Sequence, residues 1–100
     1  MELKPGSRWQ SAVCSTEVVV VRAPSSEVSL ECGGQPMVAQ GAERSGSVDP
    51  AFAGGTNVGK RYADEASGLE VLCAKAGEGS LALSGVALPL KDAKPLPASD

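Results

Sequence analysis

The sequence predicts an all-β protein built from two small β units in a pseudo-two-fold arrangement. Three observations carry that expectation. Twelve glycines and seven prolines in one hundred residues favour turns and short strands over long helices. Val18 to Val21 is an unbroken β-branched run, and Val28, Leu30 and Cys32 alternate with Ser29 and Glu31, the period-two pattern of a strand with one wet face. The third observation is an internal repeat. Sliding the chain by fifty-three positions places Gly6-Ser7-Arg8-Trp9 over Gly59-Lys60-Arg61-Tyr62, and Glu17-Val18-Val19 over Glu70-Val71-Leu72. In the same register Arg22-Ala23 lies over Lys75-Ala76, Val28 and Leu30 over Leu81 and Leu83, and Pro36-Met37 over Pro89-Leu90, with no gap.

The elements follow in chain order. The first unit spans 1–37. Gly6-Ser7 opens it, Trp9 anchors it, and Val18 to Val21 reads as a strand buried on both faces or nearly so. Pro24-Ser25-Ser26 is a turn, and the strand through Val28, Leu30 and Cys32 ends in a tight turn at Gly33-Gly34 and Pro36. From 38 to 58 glycines, serines and Pro50 break every periodicity; this reads as a linker or long loop with a short turn around Pro50 to Phe52. The second unit spans 59–90, with Tyr62 in the place of Trp9, an apolar stretch Leu69 to Cys73, a glycine turn at 76–80, and a strand through Leu81 and Leu83. The last segment, 91–100, carries Pro95 and Pro97 and reads as an extended tail. A unit of about thirty residues is too small to bury a core by itself, so two units packed about a shared axis are expected to bury each other's apolar faces.

Composition narrows the function. The net charge is −3 and the basic residues are scattered, so no nucleic-acid partner is expected. The longest apolar run, Val18 to Val21, cannot cross a membrane, and the first residues lack the apolar run of a signal peptide. A cytoplasmic location with reducible thiols is the expectation. There is no histidine, the commonest general base and nitrogen ligand. Three cysteines, an odd number, argue against a closed disulfide framework. Gly54-Gly55-Thr56-Asn57-Val58-Gly59-Lys60 has the spacing of a phosphate-binding loop, but Arg61 stands where a magnesium-binding hydroxyl belongs, and neither a buried strand before it nor a helix after it is expected.

The residues around Cys14 and Cys32 resemble a known family. Gly6-Ser7-Arg8-Trp9-Gln10-Ser11-Ala12-Val13-Cys14, the strand Val18 to Val21, and Leu30-Glu31-Cys32-Gly33-Gly34-Gln35-Pro36-Met37 are similar to desulforedoxin and the N-terminal domain of desulfoferrodoxin, with their rubredoxin-like metal knuckles. That family reads roughly Gly-x-x-Tyr-x-Cys-x-x-Cys-Gly-x-Val-Val-x-Val, then Leu-x-Cys-Cys-Gly-x-x-Met. The resemblance implies a small irregular β module, paired in desulforedoxin as a homodimer, so that a tandem duplication would resemble that dimer fused into one chain. It also implies an iron site of four thiolates, of which Cys14 and Cys32 keep two while Ser11 and Gly33 fill the other two places. In the gapless register the second unit has Asp64, Ser67, Gly85 and Val86 there. A degenerate metal site is therefore expected, and a four-cysteine centre is excluded.

If that fold is kept, Cys14 and Cys32 are neighbours. They are then a reversible disulfide, an incomplete site for iron or zinc completed from outside, or two buried thiols. Cys73 takes the place of Val20 and is expected to be a small core residue. The expected function is that of a small non-catalytic accessory or binding protein without a cofactor, whose protein partner would meet the linker and the turn at Gly33, Gly34, Pro36 and Met37. The alternative is a thiol-redox or metal-handling protein using Cys14 and Cys32.

Overall fold

The computed structural model describes residues 3–44 and 46–90; the expected extended tail, 91–100, lies outside them. The strands are β1 (Arg8–Gln10), β2 (Glu17–Arg22), β3 (Leu30–Cys32), β4 (Gln35–Pro36), β5 (Val38–Ala39), β6 (Arg61–Ala63), β7 (Glu70–Lys75), β8 (Leu81–Leu83) and β9 (Val86–Ala87). One turn of 3-10 helix, Pro50–Phe52, is the only helical piece among the described residues. The strands form two antiparallel sheets, of order β5-β1-β2-β7-β6 and β4-β3-β8-β9.

Both sheets are organised about one pseudo-two-fold axis. In the larger sheet Val19 faces Leu72, its own partner in the repeat, while Val18 facing Cys73 and Val20 facing Val71 are images of each other. In the smaller sheet Glu31 faces Ala82, and the flanking pairs are Leu30 with Leu83 and Cys32 with Leu81. The hydrogen bonds repeat as well. Gly6 N donates to Val20 O at 2.7 Å and Gly59 N to Cys73 O at 2.9 Å; Ser11 N donates to Thr16 O and Asp64 N to Leu69 O, both at 2.8 Å.

The repeat is not gapless. Up to β7 the offset is the expected fifty-three, but beyond it the offset falls to fifty-one. Met37 N donating to Leu30 O at 2.9 Å is matched by Leu88 N donating to Leu81 O at 3.0 Å, and β3 and β4 are matched by β8 and β9. The connection 76–80 is thus two residues shorter than its counterpart 23–29. This moves the second-unit counterparts of Cys32 and Gly33 from Gly85 and Val86 to Leu83 and Ser84. The backbone agrees: Gly33 and Gly34 turn with φ of 68° and 90°, and Ser84 and Gly85 with φ of 50° and 85°. Two successive positive φ values are what a two-residue hairpin turn matched to the strand twist requires.

The core lies between the sheets. Val18, Val20, Leu30, Leu69, Val71 and Leu81 are at most 2% exposed, with Cys32 and Cys73 among them. The β-branched run is buried on one face only: Val19 is half-buried and Val21 is 43% exposed. The expectation of two-sided burial fails because the larger sheet has the smaller one against a single face. Tyr62 is buried and its hydroxyl accepts from Asn57 N at 3.0 Å, while Trp9 is only partly buried against the core.

The segment read as a linker carries structure. Val38–Ala39 pairs with β1, Asp49 caps the 3-10 turn by accepting from Ala51 N at 2.9 Å, and Thr56 bridges to Gly77. Because Leu30 and Leu81 are images of each other in one core, Leu30→Ala and Leu81→Ala are each expected to cost about 2–5 kcal/mol. Val21→Ser on the open face should stay within about 0.5 kcal/mol. Chemical denaturation of the three variants checks both statements.

Candidate functional site

The β1–β2 connection forms a tight knuckle around Ser11. This side chain is fully buried, and its Oγ accepts from Val13 N at 3.1 Å and Cys14 N at 3.0 Å. Two backbone N–H groups converge here on an oxygen, and the turn they hold presents Cys14 to the end of β3. There Cys32, 0% exposed, places its Sγ 3.9 Å from that of Cys14, which is half-buried. Thr16, also fully buried, stands beside them with Oγ1 3.2 Å from Cys14 Sγ.

The other wall comes from the second unit. Gly79 N donates to Cys14 Sγ at 3.4 Å, and Ser15 Oγ donates to Ala76 O at 2.7 Å. This connection leaves no room for side chains. A Cβ on Gly77 would lie 3.0 Å from Cys14 Sγ and overlap Thr16, and one on Gly79 would lie 3.1 Å from Cys32 Sγ and 2.8 Å from Gly33 N. The middle of the chain holds the wall in place: Thr56 Oγ1 donates to Gly79 O at 2.6 Å, Ser80 N to Phe52 O at 2.7 Å, and Gly33 N to Ser80 O at 3.0 Å. The site is therefore composite, with both thiols on the first unit and their cover on the second.

The two sulfurs differ in chemistry. Burial pushes the Cys14 thiol up, but hydrogen bonds from the Ser11 and Thr16 hydroxyls and from the Thr16 and Gly79 backbone outweigh it and bring the thiol down to about 7. Burial, then the neighbouring Cys14 charge, pushes Cys32 up to about 11. Near neutral pH this gives a partly ionised, half-exposed sulfur against a protonated, enclosed one. Cys73 lies elsewhere in the core; its Sγ donates to Lys75 O at 3.2 Å and burial raises its pKa.

A metal centre of four protein ligands does not fit this set. The 3.9 Å separation matches the roughly 3.8 Å edge of a tetrahedral site with metal–sulfur bonds near 2.3 Å. The other two positions fail. Ser11 Oγ is committed to two N–H groups, and a side chain on Gly33 would begin 2.7 Å from Val13 Cγ2. Among the described residues no group of three or more His, Cys, Asp or Glu could hold an ion. Of the turn residues expected to meet a partner, Gly33 and Met37 are buried, Gly34 is half-buried, and Pro36 is exposed.

The second knuckle keeps the shape without sulfur. Asp64 Oδ2 accepts from Ser67 N at 3.1 Å and Ser67 Oγ from Leu69 N at 3.3 Å, while Leu83 occupies the place of Cys32. A groove of about 850 Å³ bordered by Arg22, Asp64, Glu65, Glu70 and Leu90 flanks this knuckle and contains neither Cys14 nor Cys32. Sequence reading missed Thr16, Gly77 and Gly79. Only the two glycines left a trace, as a turn. No protein-family model, curated protein or solved structure matches the chain.

The opposite pKa displacements have a testable sign. Cys14, lowered, contributes stability that is present above its unfolded value near 9 and lost as pH falls through about 7. Cys32, raised, contributes stability that is present below 9 and lost as pH rises through about 11. Relative to a Cys14→Ser/Cys32→Ser variant, the unfolding free energy of the reduced protein should rise from pH 7 to 9 and fall from 9 to 11. Urea titrations across that range check this.

Proposed function

We propose that this chain is a thiol-redox accessory protein on a degenerate desulforedoxin-like scaffold, in which Cys14 and Cys32 cycle between dithiol and disulfide. The observation that carries the reading is the 3.9 Å approach of one half-exposed sulfur to one enclosed sulfur. Closing the bond brings them to about 2.05 Å, a shift that side-chain rotation and small backbone adjustment can supply. Two S–H bonds break, one S–S bond forms, and two electrons and two protons pass to an oxidant of the disulfide or peroxide class. Cys14 is the attacking sulfur and Cys32 the resolving one, since the thiolate is the nucleophile and Cys14 is the one solvent reaches.

The scaffold resemblance is supported by the paired units, the Ser11 knuckle with its converging N–H groups, and the sulfur separation. The binding-protein reading has less to work with, because Gly33 and Met37 of the proposed contact turn are buried.

Thiol titration of unfolded samples tests the proposal. Reduced protein should show three free thiols, and protein held in an oxidising thiol buffer should show one, Cys73. Cys14→Ser should show two thiols under both conditions. Three thiols that persist in the wild type under oxidation would overturn the proposal.

A further inference from the structure

We infer that the oxidant this site is built to accept is a hydroperoxide, reduced at Cys14 with Thr16 and Gly79 supporting the departing oxygen. The inference rests on the dithiol reading above and adds the substrate class. It is drawn from what surrounds the Cys14 sulfur. The Cys14 thiol donates to the Thr16 hydroxyl at 3.2 Å, a contact that must reverse once the sulfur ionises, and the Gly79 N–H donates to the sulfur at 3.4 Å. These are small, hard hydrogen-bonding groups, one on a fully buried side chain and the other on a buried backbone. A leaving alkoxide or hydroxide gains much from such donors, because its charge is concentrated on one oxygen. A leaving thiolate is larger and more diffuse and gains less.

The walls point the same way. Attack on a disulfide needs the incoming sulfur and both sulfurs of the target nearly in line, with carbon beyond them. On the side of Gly77 and Gly79 an added methyl group would overlap Thr16 or the Gly33 backbone and come within 3.0 to 3.1 Å of a protein sulfur, so that side has no free space. A two-oxygen electrophile asks for far less space.

The chemistry balances with the groups present. Cys14 thiolate attacks one peroxide oxygen, an S–O bond forms, and the O–O bond breaks. The departing oxygen takes the proton that Cys14 released, so the first step is Cys14–SH plus ROOH giving Cys14–SOH plus ROH. Cys32, still protonated and 3.9 Å away, then attacks the Cys14 sulfur. The S–S bond forms, the S–O bond breaks, and the hydroxyl leaves as water with the Cys32 proton. Sulfur supplies two electrons in all, and a thiol reductant returns them. Sulfenic acid condensation with a nearby thiol is the ordinary fate of that intermediate.

The test is single-turnover oxidation of reduced Cys73→Ser protein at neutral pH, quenched by alkylation and read by mass spectrometry. Hydrogen peroxide and glutathione disulfide are compared at equal concentration. The proposal predicts oxidation by hydrogen peroxide at least about 10²-fold faster than by glutathione disulfide. Thr16→Val, which loses the donor, should slow the peroxide reaction by about 10²-fold, the usual effect of removing one such donor. Iodoacetamide alkylation of the Thr16→Val variant at high pH should stay within about twofold of its parent, since that reaction needs the thiolate but no oxygen-leaving-group support. Thr16→Ser, which keeps the hydroxyl, should restore the peroxide rate and so separates loss of the donor from loss of the fold. In Cys32→Ser protein the sulfenic acid should persist and be trapped by a 1,3-diketone.

A peroxide rate equal to that of free cysteine, or no change in Thr16→Val, would overturn the assignment. Disulfide formation with glutathione disulfide but not with peroxide would overturn it while leaving the dithiol couple standing. Failure with both oxidants would remove the couple as well.

Discussion

Neither half of this chain can hold itself together, and the rest of the structure depends on that constraint. Each unit contributes four short strands, two of them joined as a hairpin, too little to enclose a core. Pairing β2 with β7 and β3 with β8 makes both sheets continuous across the pseudo-two-fold axis and closes one core between them. Local strand propensity and the shared core agree, the consistency that lets a short sequence specify one fold.

The candidate site follows from the same pairing. The connection after β7 is two residues shorter than its image after β2, and two of its residues are glycines with no space for a side chain. It closes onto the first knuckle, where the thiols are. The longer connection after β2 reaches the second knuckle, where Ser25 N donates to Ser67 O at 2.6 Å and no sulfur remains. The symmetry supplies the architecture, and the departure from symmetry supplies the chemistry. One knuckle holds a half-buried sulfur 3.9 Å from a buried one, while the other keeps its turn geometry through oxygen acceptors on Asp64 and Ser67.

Much of the fold was legible in the residues, and the gaps have physical causes. Period two marked β3, and the β-branched run marked β2, but such a run does not say whether one face or both are covered; that depends on where the second sheet lies. β5 has two residues, too few for any periodicity, and was absorbed into the linker. The deletion that shifts the repeat falls among glycines and serines, whose side chains give an alignment no purchase, so Leu30 matched Leu83 instead of Leu81. The approach of Cys14 to Cys32 was expected only through the family resemblance, because their separation along the chain carries no geometric signal. Thr16 carries no motif that marks it in the sequence, and the Gly79 N–H is a backbone group with no signature there at all.

The central claim is that the two units fold as one body and that this body, not the first unit alone, builds the thiol site. Native-state hydrogen exchange tests it most directly at three amides: Val20, bonded to Ser7 O, its image Cys73, bonded to Lys60 O, and Gly79, bonded to Cys14 Sγ. The account predicts that Val20 and Cys73 exchange through one global opening with the same free energy, and that Gly79 is protected in the reduced protein and loses protection in Cys14→Ala. Exchange of Cys73 and Gly79 at markedly lower free energy than Val20 would show the second unit opening by itself, and would contradict it.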